Sequence, residues 1–328
     1  MDTIASSMLR PLQVFSLLCA SLASGTMTGC QDTTPTSPSD AAIETIADAL
    51  GDGSALPPRI CKTPPPLGPG PYFKDITEKV GFGQDKLDVR GIRLASADIN
   101  GDGFPDLVVH RVTGNTRDDL TSDPQKRYRR LLLGHVDKGN LTFADHTDSS
   151  NLFAIRGGGL GRSTHFAIFA DVNNDGHVDA FTGTYVNADP KAKPQDPGDR
   201  SEILLGDGKG GFSFAKKSDI SHKEMYSTTS ATFLDYDQDG NIDLFVGFFY
   251  EIYGYQPANQ DRLYRGHGDG TFTEVTNKVG LTTQRDSGYV EGKNSRPTYG
   301  VTSCDVDDDG DMDLLISAYG RQRNMLYR

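Results

Sequence analysis

Four copies of one nine-residue pattern divide this chain: DINGDGFPD (Asp98 to Asp106), DVNNDGHVD (Asp171 to Asp179), DYDQDGNID (Asp235 to Asp243) and DVDDDGDMD (Asp305 to Asp313). Their starts lie 73, 64 and 70 residues apart. Positions 1, 3, 5 and 9 are Asp or Asn in every copy, and position 6 is always Gly (Gly103, Gly176, Gly240, Gly310). Glycine at that point permits the positive φ that turns a short loop back on itself. Alternate side chains of such a loop point at one centre, and a set made only of oxygens suits a hard cation such as Ca2+.

The expected ligands are Asp98, Asn100, Asp102 and Asp106 in loop one, and Asp171, Asn173, Asp175 and Asp179 in loop two. Loop three offers Asp235, Asp237, Asp239 and Asp243; loop four offers Asp305, Asp307, Asp309 and Asp313. The seventh position varies (Phe104, His177, Asn241, Asp311), as expected where only the backbone carbonyl is used. About four Ca2+ sites follow, one for each loop. The competing reading is four plain Asx/Gly hairpin turns. Repetition of the same ligand positions argues against it, and so does electrostatics. Two carboxylates 4 Å apart repel by roughly 4 kcal/mol at an effective dielectric near 20.

An EF-hand also needs a bidentate Glu at position 12 and a helix on each side. Position 12 here is Val109, Thr182, Val246 or Ile316. The segments that follow (LVVHRV, AFTGTYV, LFVGFFY, LLISAY) are short and rich in β-branched and aromatic residues, so they predict strands. Each loop then joins two strands, with the ninth-position Asp opening the second. A third strand follows (YRRLLLG, SEILLGD, DRLYRGH, NMLYR), and after a short Gly turn a fourth (LTFADHTD, FSFAKKSD, TFTEVTNKVGL). Four antiparallel strands repeated at this period predict an all-β chain of β-propeller blades.

These loops, the LYR strand and the F-x-(D/E)-x-T strand resemble FG-GAP/VCBS repeats. The likeness runs over 71–328 and is nearest the ASPIC/UnbV and cartilage-acidic-protein type, with integrin α-like blades. The resemblance implies Ca2+ at the loop positions named above and a family habit of seven blades. Four are present here. PYFKDITEKVGFG (Pro71 to Gly83) matches a fourth strand yet precedes the first blade, while the chain stops after a third strand at NMLYR. The first segment is therefore expected to complete the last blade. A small four-bladed ring and a truncated part of a seven-bladed propeller both fit.

The N-terminus reads as an address. Residues 11–23 (PLQVFSLLCASLA) form an apolar run too short to span a bilayer, preceded by Arg10. The run ends in MTGC, which resembles a bacterial lipobox and implies lipidation of Cys30. The expected division is a lipoprotein-type signal peptide at 1–29, a Pro-rich tether at 30–70 and blades at 71–328. The product is an exported outer-membrane or cell-surface lipoprotein, or else a periplasmic or secreted protein, touching membrane only through that anchor. A bridge between Cys61 and Cys304 is possible in such a compartment but is not the expected state.

The formal net charge is −12, and fourteen carboxylates sit at ligand positions (3 + 3 + 4 + 4). No basic stripe is present, so nucleic acid is not an expected partner. Metal loops and Gly turns share one face of such blades. The opposite face carries the long connections at 113–126, 151–162, 187–200, 251–260 and 283–297, which makes it the expected contact surface. Tyr250, Tyr253, Tyr255, Arg285, Tyr289 and Arg296 are its candidate contacts for a protein or glycan. RGGGLGR (Arg156 to Arg162) reads as a close crossing between blades, and His165 and His177 read as structural. No Ser/His/Asp set or HExxH motif is found, so catalysis is not expected. The alternative is an exported enzyme, for example one acting on polysaccharide, that uses the long-loop face.

Overall fold

The short β-branched and aromatic runs and the turn residues of each unit are realised as stacked antiparallel sheets. A computed structural model describes residues 70–83, 86–110, 129–156, 162, 164–185, 200–215, 220, 227–252, 255–281, 296–319 and 323–328. The expected signal peptide, Cys30 and nearly all of the tether lie outside the described residues, as do most of the connections at 113–126, 187–200 and 283–297.

The first sheet holds β1 (Arg93–Ala97), β2 (Asp106–His110), β3 (Arg130–Asp137) and β4 (Asn140–Asp145) in sequence order. A four-residue helix, α1 (Thr147–Ser150), follows it. The second sheet is β5 (Thr164–Ala170), β6 (Asp179–Thr184), β7 (Glu202–Gly206) and β8 (Phe212–Phe214). The third begins with β9 (Thr228–Leu234) and β10 (Asp243–Phe248). A two-stranded hairpin, β11 (Tyr250–Ile252) and β12 (Tyr255–Ala258), is inserted before β13 (Arg262–Gly266) and β14 (Phe272–Glu274) complete that sheet. The last sheet is β15 (Thr298–Cys304), β16 (Asp313–Ala318) and β17 (Met325–Tyr327).

Apolar side chains fill the spaces between consecutive sheets. Val108 and Leu131 of the first pack with Ala180 and Leu204 of the second. Phe181 and Ile203 of the second meet Leu244 and Tyr264 of the third. Phe245 and Leu263 of the third meet Leu314 and Ile316 of the last. Strands β6 and β10 are buried along their whole length because each has a neighbouring sheet on both faces. Among the described residues, the two end sheets each keep one exposed face. Ile92 and Leu94 are 70% and 69% exposed on the first, and Leu315 and Leu326 are exposed on the last. The blades thus form an open, propeller-like series.

One expectation fails. Residues 71–76 join no strand, and among the described residues β17 has no fourth-strand neighbour. What the segment shares with a blade is the turn that follows its strand. Amides of Val80, Gly81 and Phe82 donate to the carbonyls of Ile76, Glu78 and Thr77 at 2.9, 3.2 and 3.0 Å. Val279, Gly280 and Leu281 repeat the set on Val275, Asn277 and Thr276. The turn is local and forms from its own sequence, whereas a strand needs a partner's backbone groups. Phe73, aligned with the buried Phe272, is accordingly 94% exposed.

Candidate metal centres

Each acidic loop is built from the same bonds. The first Asp accepts two amides, those of positions 5 and 6. For Asp98 these are Asp102 at 3.0 Å and Gly103 at 2.9 Å; for Asp235 they are Asp239 at 3.1 Å and Gly240 at 3.0 Å. Asp171 and Asp305 do the same. The Asp at position 5 accepts the amide of position 7, from Phe104, His177, Asn241 and Asp311 in turn. These bonds curl the carboxylates toward one point. Position 6 takes the positive φ expected of it, and position 4 does so as well: Gly101, Asn174, Gln238 and Asp308 have φ of 71°, 58°, 56° and 63°. The fourth position was not read from the sequence, although Gly, Asn and Asp are the residues most tolerant of that region.

The ninth-position Asp opens the second strand and is buried in all four loops. Asp106 accepts the amides of Ile99 and Gly134 at 2.8 and 2.7 Å. Asp243 accepts those of Tyr236 and Gly266, at 2.9 and 2.8 Å. Asp313 accepts Val306 at 2.8 Å, while its Oδ1 is buried without a partner among the described residues. Burial pushes Asp179 and Asp243 up to about 6, against the amides that favour their ionised forms, and raises Asp106 as well. Nearby loop carboxylates push in the same direction. A cation at the loop centre would remove that penalty.

Carboxylate oxygens of Asp235, Asp237 and Asp239 lie within 4.8 Å of one another, as do those of Asp305, Asp307 and Asp313. These all-oxygen sets fit a hard divalent cation better than a soft one. In loops one and two, Asn100 and Asn173 stand at position 3, and each amide donates to the position-5 carboxylate, at 3.0 and 2.9 Å. Adjacent loops also touch. Asn174 Nδ2 lies 3.4 Å from Asn241 Oδ1, and the Gly270 amide of the third sheet's Gly turn donates to Val172 O at 3.2 Å. Metal loops and Gly turns therefore share one end of the sheets, as expected.

The FG-GAP repeat family model matches residues 90–110, the span of β1, loop one and β2. That span carries an FG-GAP repeat. Integrin alpha-V of Gallus gallus is 24% identical over 244 residues, 73% of this chain and 21% of that one. Integrin alpha-8 of the same organism is 23% identical over 273 residues, 78% of this chain and 23% of that one. The chain thus spans under a quarter of the length of these relatives. These matches do not confirm the ASPIC/UnbV likeness. A solved structure of an Agrocybe aegerita lectin aligns over 72% of this chain and 49% of its own, at 19% identity. Its TM-score of 0.38 is too low to define a common architecture.

The end of the sheets away from the loops holds an aromatic cluster that the sequence reading missed. His165 stacks on Tyr185 with ring centroids 5.1 Å apart. Phe249 lies 6.3 Å from Tyr185, 5.2 Å from Tyr319 and 6.2 Å from Tyr299. The guanidinium of Arg93 sits 6.0 Å from the Tyr299 ring and donates to Thr229 O at 3.0 Å. Each of these residues stands at the start of a first strand or just past the end of a second. Only the stacking of sheets brings them together, which is why no motif revealed them. Tyr299 and Tyr319 are the exposed members, at 53% and 39%. Burial, with Arg93 and Arg129 nearby, takes His165 down to about 3, so its ring is neutral.

Of the contact residues expected from sequence, Tyr250 and Arg296 are buried. Tyr250 packs 4.8 Å from Phe249, and Arg296 donates to Arg323 O at 3.1 Å. Tyr255 lies in β12, while Tyr253, Arg285 and Tyr289 lie outside the described residues. The arginines flanking the Gly run are structural. Arg156 grips the buried Glu202 through both carboxylate oxygens at 2.8 and 2.9 Å. Arg162 is fully buried and donates to the carbonyls of Leu152 and Ala154.

Proposed function

We propose that this chain is an exported, Ca2+-stabilised propeller module that binds a protein or a glycan through the sheet ends opposite its acidic loops. The observation that carries this reading is the exposed pair Tyr299 and Tyr319, backed by Phe249 and flanked by Arg93. Rigid aromatic faces beside a guanidinium suit sugar rings and protein hot spots, because they bury apolar area at low entropy cost and keep a polar handle. Ca2+ in the loops would act on stability rather than contact, since the loops occupy the other end. Export follows from the apolar N-terminal run, and attachment at Cys30 from the lipobox-like MTGC. No helix among the described residues is long and apolar enough to cross a membrane.

The test is binding to a glycan array and to a panel of extracellular-matrix proteins, for the wild type and for Tyr299→Ala with Tyr319→Ala. The double variant should keep its melting temperature and lose at least about tenfold in affinity, as expected when hot-spot aromatics are truncated. Undiminished binding by that variant would place the contact surface elsewhere.

A further inference from the structure

Loops one and two differ from loops three and four at two places at once. Position 3 is Asn100 or Asn173 in the first pair and Asp237 or Asp307 in the second. One residue of the third strand changes with it. Leu132, Leu204, Tyr264 and Tyr327 pair with Leu107, Ala180, Leu244 and Leu314 at one equivalent register. The residue after each is Leu133, Leu205, Arg265 or Arg328.

The two changes are linked through a single oxygen. In loops one and two the Asn amide donates to Asp102 Oδ2 or Asp175 Oδ2. An ionised Asp at position 3 has no proton to donate. In loop three Arg265 Nη2 donates to that same atom, Asp239 Oδ2, at 2.7 Å, and its Nε lies 2.9 Å from Asp237 Oδ2. In loop four Arg328 pairs with Asp307 and lies 3.5 Å from Asp309 Oδ2. Counting positions 1, 3, 5 and 9 with the guanidinium, loops one and two carry three negative charges each, and loops three and four carry four less one, again three.

We propose that Arg265 and Arg328 are resident counter-ions that replace the Asn amide and hold loops three and four closed when no cation is bound. Loops one and two, with Leu at that position, close through the Asn amide instead. The expected gain in Ca2+ affinity rests on the Ca2+ reading above; the counter-ion role itself does not. The other oxygen of Asp239, Oδ1, accepts the Asn241 amide, as its counterpart does in every loop. Arg265 is thus a stand-in charge in the empty loop.

The experiment is a set of thermal melts on the full chain, in EDTA and in saturating Ca2+, with calorimetric titration of Ca2+. The variants are Arg265→Leu, Arg265→Lys, and Arg265→Leu combined with Asp237→Asn, which installs the residue pair of loop two. Arg265→Leu should lose several degrees in EDTA and little in Ca2+, and one site should bind Ca2+ about tenfold more tightly once the competing charge is gone. Arg265→Lys should recover part of the EDTA loss, and the double variant most of it. Equal losses in both media without recovery in the double variant would make Arg265 a packing residue only and overturn the proposal. So would the absence of any change. If the wild type binds no Ca2+, that reading fails alone. The EDTA melts then still decide: recovery in the double variant upholds the counter-ion, and no recovery removes it.

Discussion

The amide of Gly206 donates to Asp179 Oδ1 at 2.8 Å while the amide of Val172 donates to Oδ2 at 2.9 Å. One carboxylate thereby fastens the third strand and the loop entrance to the start of the second strand. The third strand comes so close that a Cβ on Gly206 would lie 2.1 Å from Val178 O; at Gly134 and Gly266 the gaps to Pro105 O and Ile242 O are 2.3 and 2.1 Å. Gly206→Ala should therefore cost about 1–3 kcal/mol, the usual price of forcing backbone apart in a packed region. Gly240→Ala meets nothing within 4 Å and strains only its φ of 82°, at about 1–2 kcal/mol. Urea unfolding of both variants checks the magnitudes, and only Gly206→Ala should also weaken protection of the Gly206 amide in hydrogen exchange.

Calcium should stabilise the folded chain through the loops. At tenfold saturation each occupied site adds roughly 1.4 kcal/mol, from RT ln(1 + [L]/Kd). Melting temperatures in EDTA and in rising Ca2+ measure this. A curve that does not move with Ca2+ would mean that the loops are turns alone.

The pH dependence should itself depend on metal. Asp179 and Asp243, raised to about 6 by burial, hold protons in the folded state that the unfolded chain releases near 3.8. Metal-free stability from these groups is present below about 4 and is lost as pH rises through about 6. Buried His165, depressed from 6.5 to about 3, acts in reverse: its contribution is present above 6.5 and lost as pH falls. His110 is shifted down by burial in the same sense. In EDTA the two sets oppose and the melting temperature should vary little from pH 4 to 7. Bound Ca2+ favours the ionised carboxylates and silences the first set, so the loss toward acid should then be steep. Parallel profiles in the two media would contradict this.

Glu202 is buried and held by Arg156 through two hydrogen bonds, with Arg200 Nε 3.9 Å from Oε1. Arg156→Leu should destabilise by about 2–3 kcal/mol, less than for a fully buried pair because Arg156 is partly exposed. Adding Glu202→Leu should restore part of that loss, since no charge is then stranded. Chemical denaturation of the single and double variants gives the coupling directly.

The amino-acid order alone determined the loops and the strands beside them. Their chemistry is local: Asp98 bonds to amides four and five residues away, and Gly103 turns because of its own φ. Short runs rich in β-branched and aromatic residues likewise marked β2 and its repeats. Only the tertiary structure decided what lies far apart in sequence. Stacking of sheets, not any motif, gathered Tyr185, Phe249, Tyr299 and Tyr319 and buried Tyr250. The hairpin β11–β12 arose where an irregular connection was expected, and residues 71–76, with a good strand pattern, form no strand. The physical reason is the same in each case. A metal loop closes on bonds within nine residues, whereas a strand, an aromatic cluster or the Arg265 ion pair exists only when folding brings the partner.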